Sequence, residues 1–191
     1  MEKNKISTAD IVLTGLFATL TFVGTMIRIP MPAAVGAPFI HLGNSVLLLA
    51  VLTLGFRKGA LAGGMGFAIF DVMNGFAAEA PYFILESFVV GGVATLVFMG
   101  FNKKDDQIYK IIIVAISAII TKLAMTFLKS TVIAMLAGAS LRPAAIAAFL
   151  SLPASLVNGI STLIIVTIAY YPVKQIVTQF YKRTSPNFNH N

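Results

Sequence analysis

The sequence predicts an all-α integral membrane protein, with six transmembrane helices in a single domain spanning residues 1–191. Hydrophobic residues make up 58% of the chain and charged residues only 11%, against roughly 25% charged residues in a soluble domain. The apolar residues form long runs, and the Lys and Arg residues lie in short clusters between these runs. Because so few charges are present to face water, most of the surface is expected to face lipid.

The first predicted helix, 9–27, follows the polar stretch MEKNKISTAD. A secretory signal peptide is the alternative, with PAAVGA as its small-residue cleavage region. A retained helix is favoured because later segments are equally apolar. Small residues recur four apart on this helix, a spacing that allows close packing inside the bundle or against another membrane protein. These pairs are Thr14 with Ala18 and Gly15 with Thr19.

The second and third predicted helices, 41–55 and 59–75, are short and are joined by the tight turn GFRK. In the third helix small residues are spaced four apart at 59/63, 60/64 and 62/66. This spacing lets helix backbones approach closely, so we expect the third helix to pack inside the bundle.

The last three predicted helices are 82–101, 108–136 and 143–171. A span needs about 20 apolar residues, so the fifth and sixth helices are expected to tilt or to extend beyond the bilayer. Six spans are favoured over four because the charged turns then alternate between the two sides. The tail, 184–191, is predicted to be disordered.

Lysine and arginine residues place both termini in the cytoplasm. With six spans, ten of them fall in the inner segments and two in the outer ones, which is the positive-inside pattern. The inner ones are Lys3, Lys5, Arg57, Lys58, Lys103, Lys104, Lys110, Lys174, Lys182 and Arg183, and the outer ones are Arg28 and Arg142.

The outer loops are then 28–40, 76–81 and 137–142. The first contains IPMPAAVGAP and is rich in proline. Irregular backbone cannot cross lipid unprotected, so this loop is expected to fold over the outer face as a lid.

Polar side chains are predicted to meet in the outer half of the bundle. At about 1.5 Å per residue, Asp71, Glu86 and Lys129 lie at similar depths on three different helices. Lys122 shares a helix face with Lys129, and the two carboxylates are the expected counter-charges. A charge in the bilayer costs at least about 2.5–3.5 kcal/mol, so these groups are expected to face the interior.

The predicted substrate-binding residues are His41, Asn44, Asp71, Asn74, Glu79, Tyr82, Glu86, Lys122, Lys129 and Asn158. The alternative is that they form buried pairs that only fix helix register. His41 can equally be an interfacial histidine, and Tyr82 and Phe83 can be interface aromatics or can stack on a flat ligand.

The sequence argues against several chemistries. It has no cysteine, and hence no disulfide, thiolate zinc site or thiol nucleophile. It has neither HExxH nor GxxxxGK[ST], and Ser161 has no histidine in the later spans to activate it. The net charge of +7 does not indicate nucleic-acid binding, because the basic residues lie between apolar runs. We therefore expect no catalytic residue, metal or cofactor.

Two stretches resemble a known family. They are KISTADIVLTGLFATLTFVGTMIRIPMP and APFIHLGNSVLLLAVLTLGFRKGALAGGMGFAIFDVMNG, in which HLGNS, LGFRKGALAGG and FDVMNG are the specific blocks. They resemble the substrate-binding (S) components of energy-coupling factor (ECF) vitamin transporters. The likeness covers most of the first 100 residues, and the C-terminal half agrees in hydropathy and length only.

The resemblance implies a function and partners. An S component captures a vitamin at the outer face of the bacterial plasma membrane, pairs with a transmembrane coupling subunit and two ATP-binding cassette ATPases, and topples to carry its pocket inward. Small residues of helix 1 dock on the coupling subunit. The matching residues here are Thr14, Gly15, Ala18 and Thr19. The nickel and cobalt branch has a histidine after the initiator methionine, where this chain has Glu2.

Within the family the sequence looks closest to the branch for small pyrimidine or pyridine vitamins. Hydroxymethylpyrimidine is the first expectation and pyridoxine the second, and riboflavin stays open. Two other classes remain. One is a proton-coupled carrier or membrane enzyme that uses the buried carboxylates and lysines as a relay, and the other is a scaffolding subunit without a ligand.

Overall fold

The structure, a computed structural model, describes residues 6–31 and 39–184. These residues form seven α-helices, a 3₁₀ turn and one antiparallel pair of short strands. In chain order the elements are α1 (Thr8–Met26), β1 (Arg28–Pro30), β2 (Phe39–His41), α2 (Gly43–Leu54), α3 (Phe56–Met73), the 3₁₀ turn (Ala77–Glu79), α4 (Ala80–Gly100), α5 (Ile108–Leu136), α6 (Leu141–Leu150) and α7 (Leu152–Thr184).

Four helical segments are long and apolar enough to cross a membrane, as judged by their length and composition. They are Thr8–Met26, Ala77–Gly100, Ile108–Leu136 and Leu152–Thr184. Two shorter apolar helices are Gly43–Leu54 and Leu141–Leu150. The architecture is therefore that of an all-helical integral membrane protein, and the six-span count and the cytoplasmic termini stay predictions.

The end of the chain differs from the single helix expected over 143–171. Two helices, α6 and α7, take its place, and α7 continues to Thr184. The break lies at Ser151, whose amide donates to the carbonyl of Ala148. Pro153 explains the break, since it has no N–H to donate to Phe149 and its ring would clash with that carbonyl in a continuous helix.

The loop expected to be irregular over 28–40 contains two short strands in its described part. Arg28 pairs with His41 and Pro30 with Phe39. His41 therefore lies in β2, and the second helix begins at Gly43. Residues 32–38 of the expected lid, and 185–191 of the expected disordered tail, lie outside the described residues.

Glycines of α3 permit close packing of the first three helices. A Cβ at Gly59 would lie 2.3 Å from the Cα of Val51, and one at Gly66 would lie 2.5 Å from the carbonyl oxygen of Ala18. Both neighbours are backbone atoms that cannot turn away. The small residues of α3 thus pack against α2 and α1, as the sequence analysis expected.

We expect Gly59→Ala to destabilise the protein by about 1–3 kcal/mol, because its methyl group would force the backbones of α2 and α3 apart. Gly100→Ala is the matched control, since a Cβ at Gly100 meets nothing within 4 Å. Thermal unfolding of both variants in detergent measures the difference. Equal melting temperatures for the two variants would show that the close approach of α2 and α3 is wrong.

Two carboxylates tie the helices together at the end of the bundle where α1 begins and α7 ends, which we call the terminal end. The carboxylate of Asp10 accepts a hydrogen bond from the amide of Ser7, the N-cap residue of α1. It also accepts hydrogen bonds from Lys58 of α3 and from Tyr181 of α7, the latter at 2.7 Å. This one carboxylate therefore joins three helices.

Asp105, in the connection between α4 and α5, is the second of these carboxylates. It accepts hydrogen bonds from Lys174 and from Tyr170, the latter at 2.7 Å. Burial opposes ionisation of Asp105, but these hydrogen bonds outweigh burial and lower its pKa below the usual value. Polar side chains thus close the terminal end, and the site described below lies at the opposite end.

Candidate functional site

A cavity of about 120 Å³ lies at the end of the bundle opposite the terminal end. We call it the polar cavity. Its walls come from β2, α3, the 3₁₀ turn, α4, α5 and α7. Seven of the ten predicted binding residues line it, namely His41, Asp71, Glu79, Tyr82, Lys122, Lys129 and Asn158. Residues far apart in the sequence therefore meet around one space.

Two ion pairs beside the polar cavity join α5 to α4 and to the 3₁₀ turn. Lys122 binds Glu86 of α4, and Lys129 binds Glu79 of the 3₁₀ turn. Glu86 is only 3% exposed, so its charge depends on this lysine. The expected pairing of the lysines with both Asp71 and Glu86 is thus half right, because Glu79 takes the place of Asp71. Glu79 lies just before α4, within reach of the long side chain of Lys129.

Asp71 has no salt-bridge partner among the described residues. It is 4% exposed, and its Oδ2 atom is buried without a hydrogen-bond partner. Buried carboxylates are normally paired or hydrogen-bonded. Asp71 belongs to the wall of the polar cavity, but its Oδ2 atom is buried behind that wall.

Aromatic rings surround one of the lysines. The Nζ atom of Lys129 lies 4.5 Å from the ring centroid of Phe83 and 4.7 Å from that of Tyr82, within cation–π range. The Tyr82 hydroxyl donates to Oε1 of Glu86 at 2.8 Å. Both rings line the polar cavity, so they offer a flat face to a ligand as well as a support for the ion pairs.

Asn158 of α7 fixes strand β2 against the bundle. Its Oδ1 accepts from the amide of His41 at 2.8 Å, and its Nδ2 donates to the carbonyl of Phe39 at 2.9 Å. Nδ1 of His41 accepts from the amide of Gly43 at 3.2 Å, so that nitrogen carries no proton. Burial and the charge of Lys122 lower the pKa of His41 to about 3. The imidazole is therefore neutral, with its Nε2–H available as a donor.

The other predicted residues lie elsewhere. Asn44 and Glu86 line a second cavity of about 20 Å³, which shares Lys122 and Ser155 with the polar cavity. Asn44 is 6% exposed, and neither of its amide atoms has a hydrogen-bond partner. The volume is enough for one water molecule.

Asn74 lines neither cavity, contrary to its expected role. Its Nδ2 donates to the carbonyl of Phe70 at 2.9 Å, and its Oδ1 accepts from Arg28 at 3.3 Å. The Arg28 guanidinium lies 5.0–5.7 Å from the ring centroids of Phe39, Phe70 and Phe76. Asn74 thus holds Arg28 against these three aromatic rings, outside the cavity.

Several lining residues escaped the sequence analysis. They are Phe39, Phe76, Thr126, Ser130, Ile133, Ser151, Ala154 and Ser155. Phe83 also lines the cavity, and the sequence had suggested it only as an aromatic contact. Helical spacing carries a signal for some of them. Thr126 and Ser130 follow Lys122 at intervals of four on α5. Ser155 precedes Asn158 by three positions on α7, and Ser151 precedes Ser155 by four at the break between α6 and α7.

The predicted docking residues of α1 divide into two pairs. Thr14 and Ala18 are buried inside the bundle, so the described chain leaves no surface for a partner there. Gly15 and Thr19 are exposed, and the Thr19 hydroxyl donates to the carbonyl of Gly15 at 3.0 Å. The two pairs separate because neighbouring positions of a helix point about 100° apart.

Comparison with known proteins supplies the family. A family model described as "ECF-type riboflavin transporter, S component" matches residues 5–175, nearly the whole chain. No curated protein and no solved structure matches in the corresponding comparisons. The match extends through the C-terminal half, where the resemblance in the sequence was weakest. The chain therefore belongs to the family of ECF-type riboflavin transporter S components.

Proposed function

We propose that the chain is the high-affinity substrate-binding subunit of an ATP-driven ECF-type transporter in the bacterial plasma membrane. The polar cavity is the observation that carries this proposal. An apolar helix bundle would not need charged groups around an open space, since each charge in the bilayer costs at least about 2.5–3.5 kcal/mol. A receptor for a polar solute does need them, because they bind and orient it.

Hydroxymethylpyrimidine is the proposed substrate. An engineered protein cavity of about 150 Å³ binds benzene, so a cavity of about 120 Å³ suits a single six-membered ring. Lysines, carboxylates and the neutral His41 offer donors and acceptors around it, and Tyr82 and Phe83 offer a flat face. Pyridoxine, also a single ring, is the next choice by the same argument.

Riboflavin is the second candidate, because the description of the matching family names it. Its three fused rings and ribityl chain are much larger than one pyrimidine. Binding riboflavin would therefore require the walls of the polar cavity to move farther apart than binding hydroxymethylpyrimidine would.

The proposed partners are a transmembrane coupling subunit and two ATP-binding cassette ATPases, as in the family. The proposed docking surface is the exposed face of α1 at Gly15 and Thr19. Small side chains there allow a partner helix to approach closely.

Titration of the detergent-purified chain with hydroxymethylpyrimidine, pyridoxine and riboflavin, without ATP, tests the proposal. We expect tight one-to-one binding of hydroxymethylpyrimidine. Tight binding of riboflavin instead would keep the receptor function and change the substrate. If no vitamin binds, and uptake by cells expressing the chain collapses with the proton gradient, the alternative of a proton-coupled carrier replaces the proposal.

A further inference from the structure

Lys122 lines the polar cavity, but the carboxylate that binds it does not. Glu86 lines the smaller cavity and lies outside the polar one. An ammonium group has several N–H donors, and in the described part of the chain the hydrogen bond of Lys122 goes to Glu86. N–H groups of this lysine are therefore left over to donate to a ligand in the polar cavity.

His41 supplies a second donor near Lys122. It is partly exposed and lines the polar cavity. The charge of Lys122 contributes to the lowered pKa of His41, so the ammonium group and the imidazole lie close enough to interact. Because Nδ1 accepts from the amide of Gly43 at 3.2 Å, the single proton of the neutral ring is on Nε2.

The Nε2–H group of His41 is accessible to a ligand. No described residue accepts a hydrogen bond from it. In the described part of the chain, the polar side-chain atoms that are buried without a partner belong to Asn44 and Asp71. The Oδ2 atom of Asp71 is thus sealed off, and the Nε2–H group of His41 is not. One nitrogen of His41 is bonded to the start of α2, and the other is free to bind a ligand.

Aromatic rings connect the two donors. The ring of Phe67 contacts that of His41 edge-on, with 5.8 Å between their centroids, and lies 6.1 Å from that of Phe83. The Nζ atom of Lys122 lies 5.8 Å from the ring centroid of Phe83. Phenylalanine offers no hydrogen-bonding group that could compete with a ligand for these donors.

We propose that His41 and Lys122 together select ligands by an acceptor edge, which is a ring nitrogen without hydrogen or a carbonyl oxygen. This inference deepens the proposed function and rests on it. A pyrimidine offers such ring nitrogens, and a flavin offers ring nitrogens and carbonyl oxygens, so both substrate candidates meet the requirement. A ligand with C–H at this edge would leave both donors unpaired, and a site built to hydrogen-bond its substrate discriminates strongly against such an analogue.

Two substitutions of His41 separate its structural bond from its free donor. The side-chain oxygen of asparagine can replace Nδ1, so His41→Asn keeps the bond to the Gly43 amide but has no group at the place of Nε2. The amide nitrogen of glutamine reaches that place, so His41→Gln keeps the donor and loses the bond to Gly43.

The two variants should therefore show opposite patterns in detergent. We expect His41→Asn to melt near the wild type and to bind hydroxymethylpyrimidine about 5- to 150-fold more weakly. His41→Gln should melt at a lower temperature and bind nearly as tightly as the wild type. Weaker binding by His41→Gln than by His41→Asn would show that His41 acts on structure alone and would overturn the inference, as would unchanged affinity in His41→Asn.

Ligand analogues test the acceptor on the wild-type chain, even if neither variant folds. In the two deaza analogues of hydroxymethylpyrimidine, C–H replaces one ring nitrogen or the other. We expect at least one analogue to bind about 5- to 150-fold more weakly than the parent compound, and this loss should shrink in His41→Asn, whose donor is already gone. Equal binding of the parent compound and both analogues would overturn the inference. If riboflavin is the vitamin that binds, its deaza analogues take their place.

The failure of this inference is distinguishable from failure of the proposed function. If the wild type binds hydroxymethylpyrimidine or riboflavin tightly but the analogues bind equally well, His41 and Lys122 do not select an acceptor edge and the receptor function stands. If the wild type binds no vitamin, the proposed function falls and the inference falls with it.

Discussion

Replacing Lys122 by methionine is expected to abolish vitamin binding and to destabilise the protein by about 3–5 kcal/mol. Methionine keeps most of the volume of the lysine but leaves Glu86 without its cation. That carboxylate is buried and, among the described residues, keeps only the hydrogen bond from Tyr82. An uncompensated buried charge is among the few changes that cost a membrane or soluble protein this much stability.

The double variant Lys122→Met with Glu86→Gln separates charge from packing. Its stability should recover most of the loss, because no unpaired charge remains, whereas vitamin binding should not return. Lys110→Met is the matched control on the same helix. Lys110 pairs with Asp106, which is 58% exposed, so its removal should change little. Equal melting temperatures for the single and the double variant would show that the ion pair of Lys122 with Glu86 does not stabilise this part of the bundle.

Gly15→Leu is expected to retain vitamin binding and to abolish transport. A Cβ atom added at Gly15 meets nothing within 4 Å, and this position is exposed, so the isolated protein should fold and bind as before. A leucine there would hold a partner helix away from α1, because close helix approach in membranes depends on small residues. Vitamin uptake by cells, and co-purification of the coupling subunit, measure the two effects.

Gly100→Leu is the control for the docking variant. A Cβ atom added at Gly100, the last residue of α4, likewise meets nothing within 4 Å. It should leave both binding and uptake intact. Normal uptake by Gly15→Leu would show that α1 does not dock through this face.

The long apolar helices and the gathering of charges could be predicted from the sequence because both obey simple rules. Apolar runs define helices in lipid, and charges within them turn inward. Similar distances from the predicted helix ends placed Asp71, Lys129 and Glu86 at similar depths. That reasoning needs only the rise per residue of a helix.

The details of pairing could not be predicted in the same way. Depth alone does not tell which of several carboxylates a long lysine side chain reaches. Lys129 is bound to Glu79 and not to Asp71, and depth could not distinguish the two. Nor does it give the rotation of a helix about its axis, which turns Asn44 towards the smaller cavity and leaves Asn74 outside both.

Contacts between residues far apart in the sequence could not be predicted either. The bonds from Asn158 to strand β2 join residues 117 and 119 positions apart, and no local pattern signals them. The division of α1 into buried and exposed small residues likewise depends on where α3 packs. By contrast, Pro153 could have indicated the break between α6 and α7.

Native mass spectrometry of the chain, released from detergent after purification from vitamin-supplied cells, tests most directly whether the polar cavity is a receptor site. We expect a species heavier than the bare chain by one hydroxymethylpyrimidine, and loss of that species in Lys122→Met. Only the bare chain, even after hydroxymethylpyrimidine, pyridoxine and riboflavin have been supplied, would contradict it.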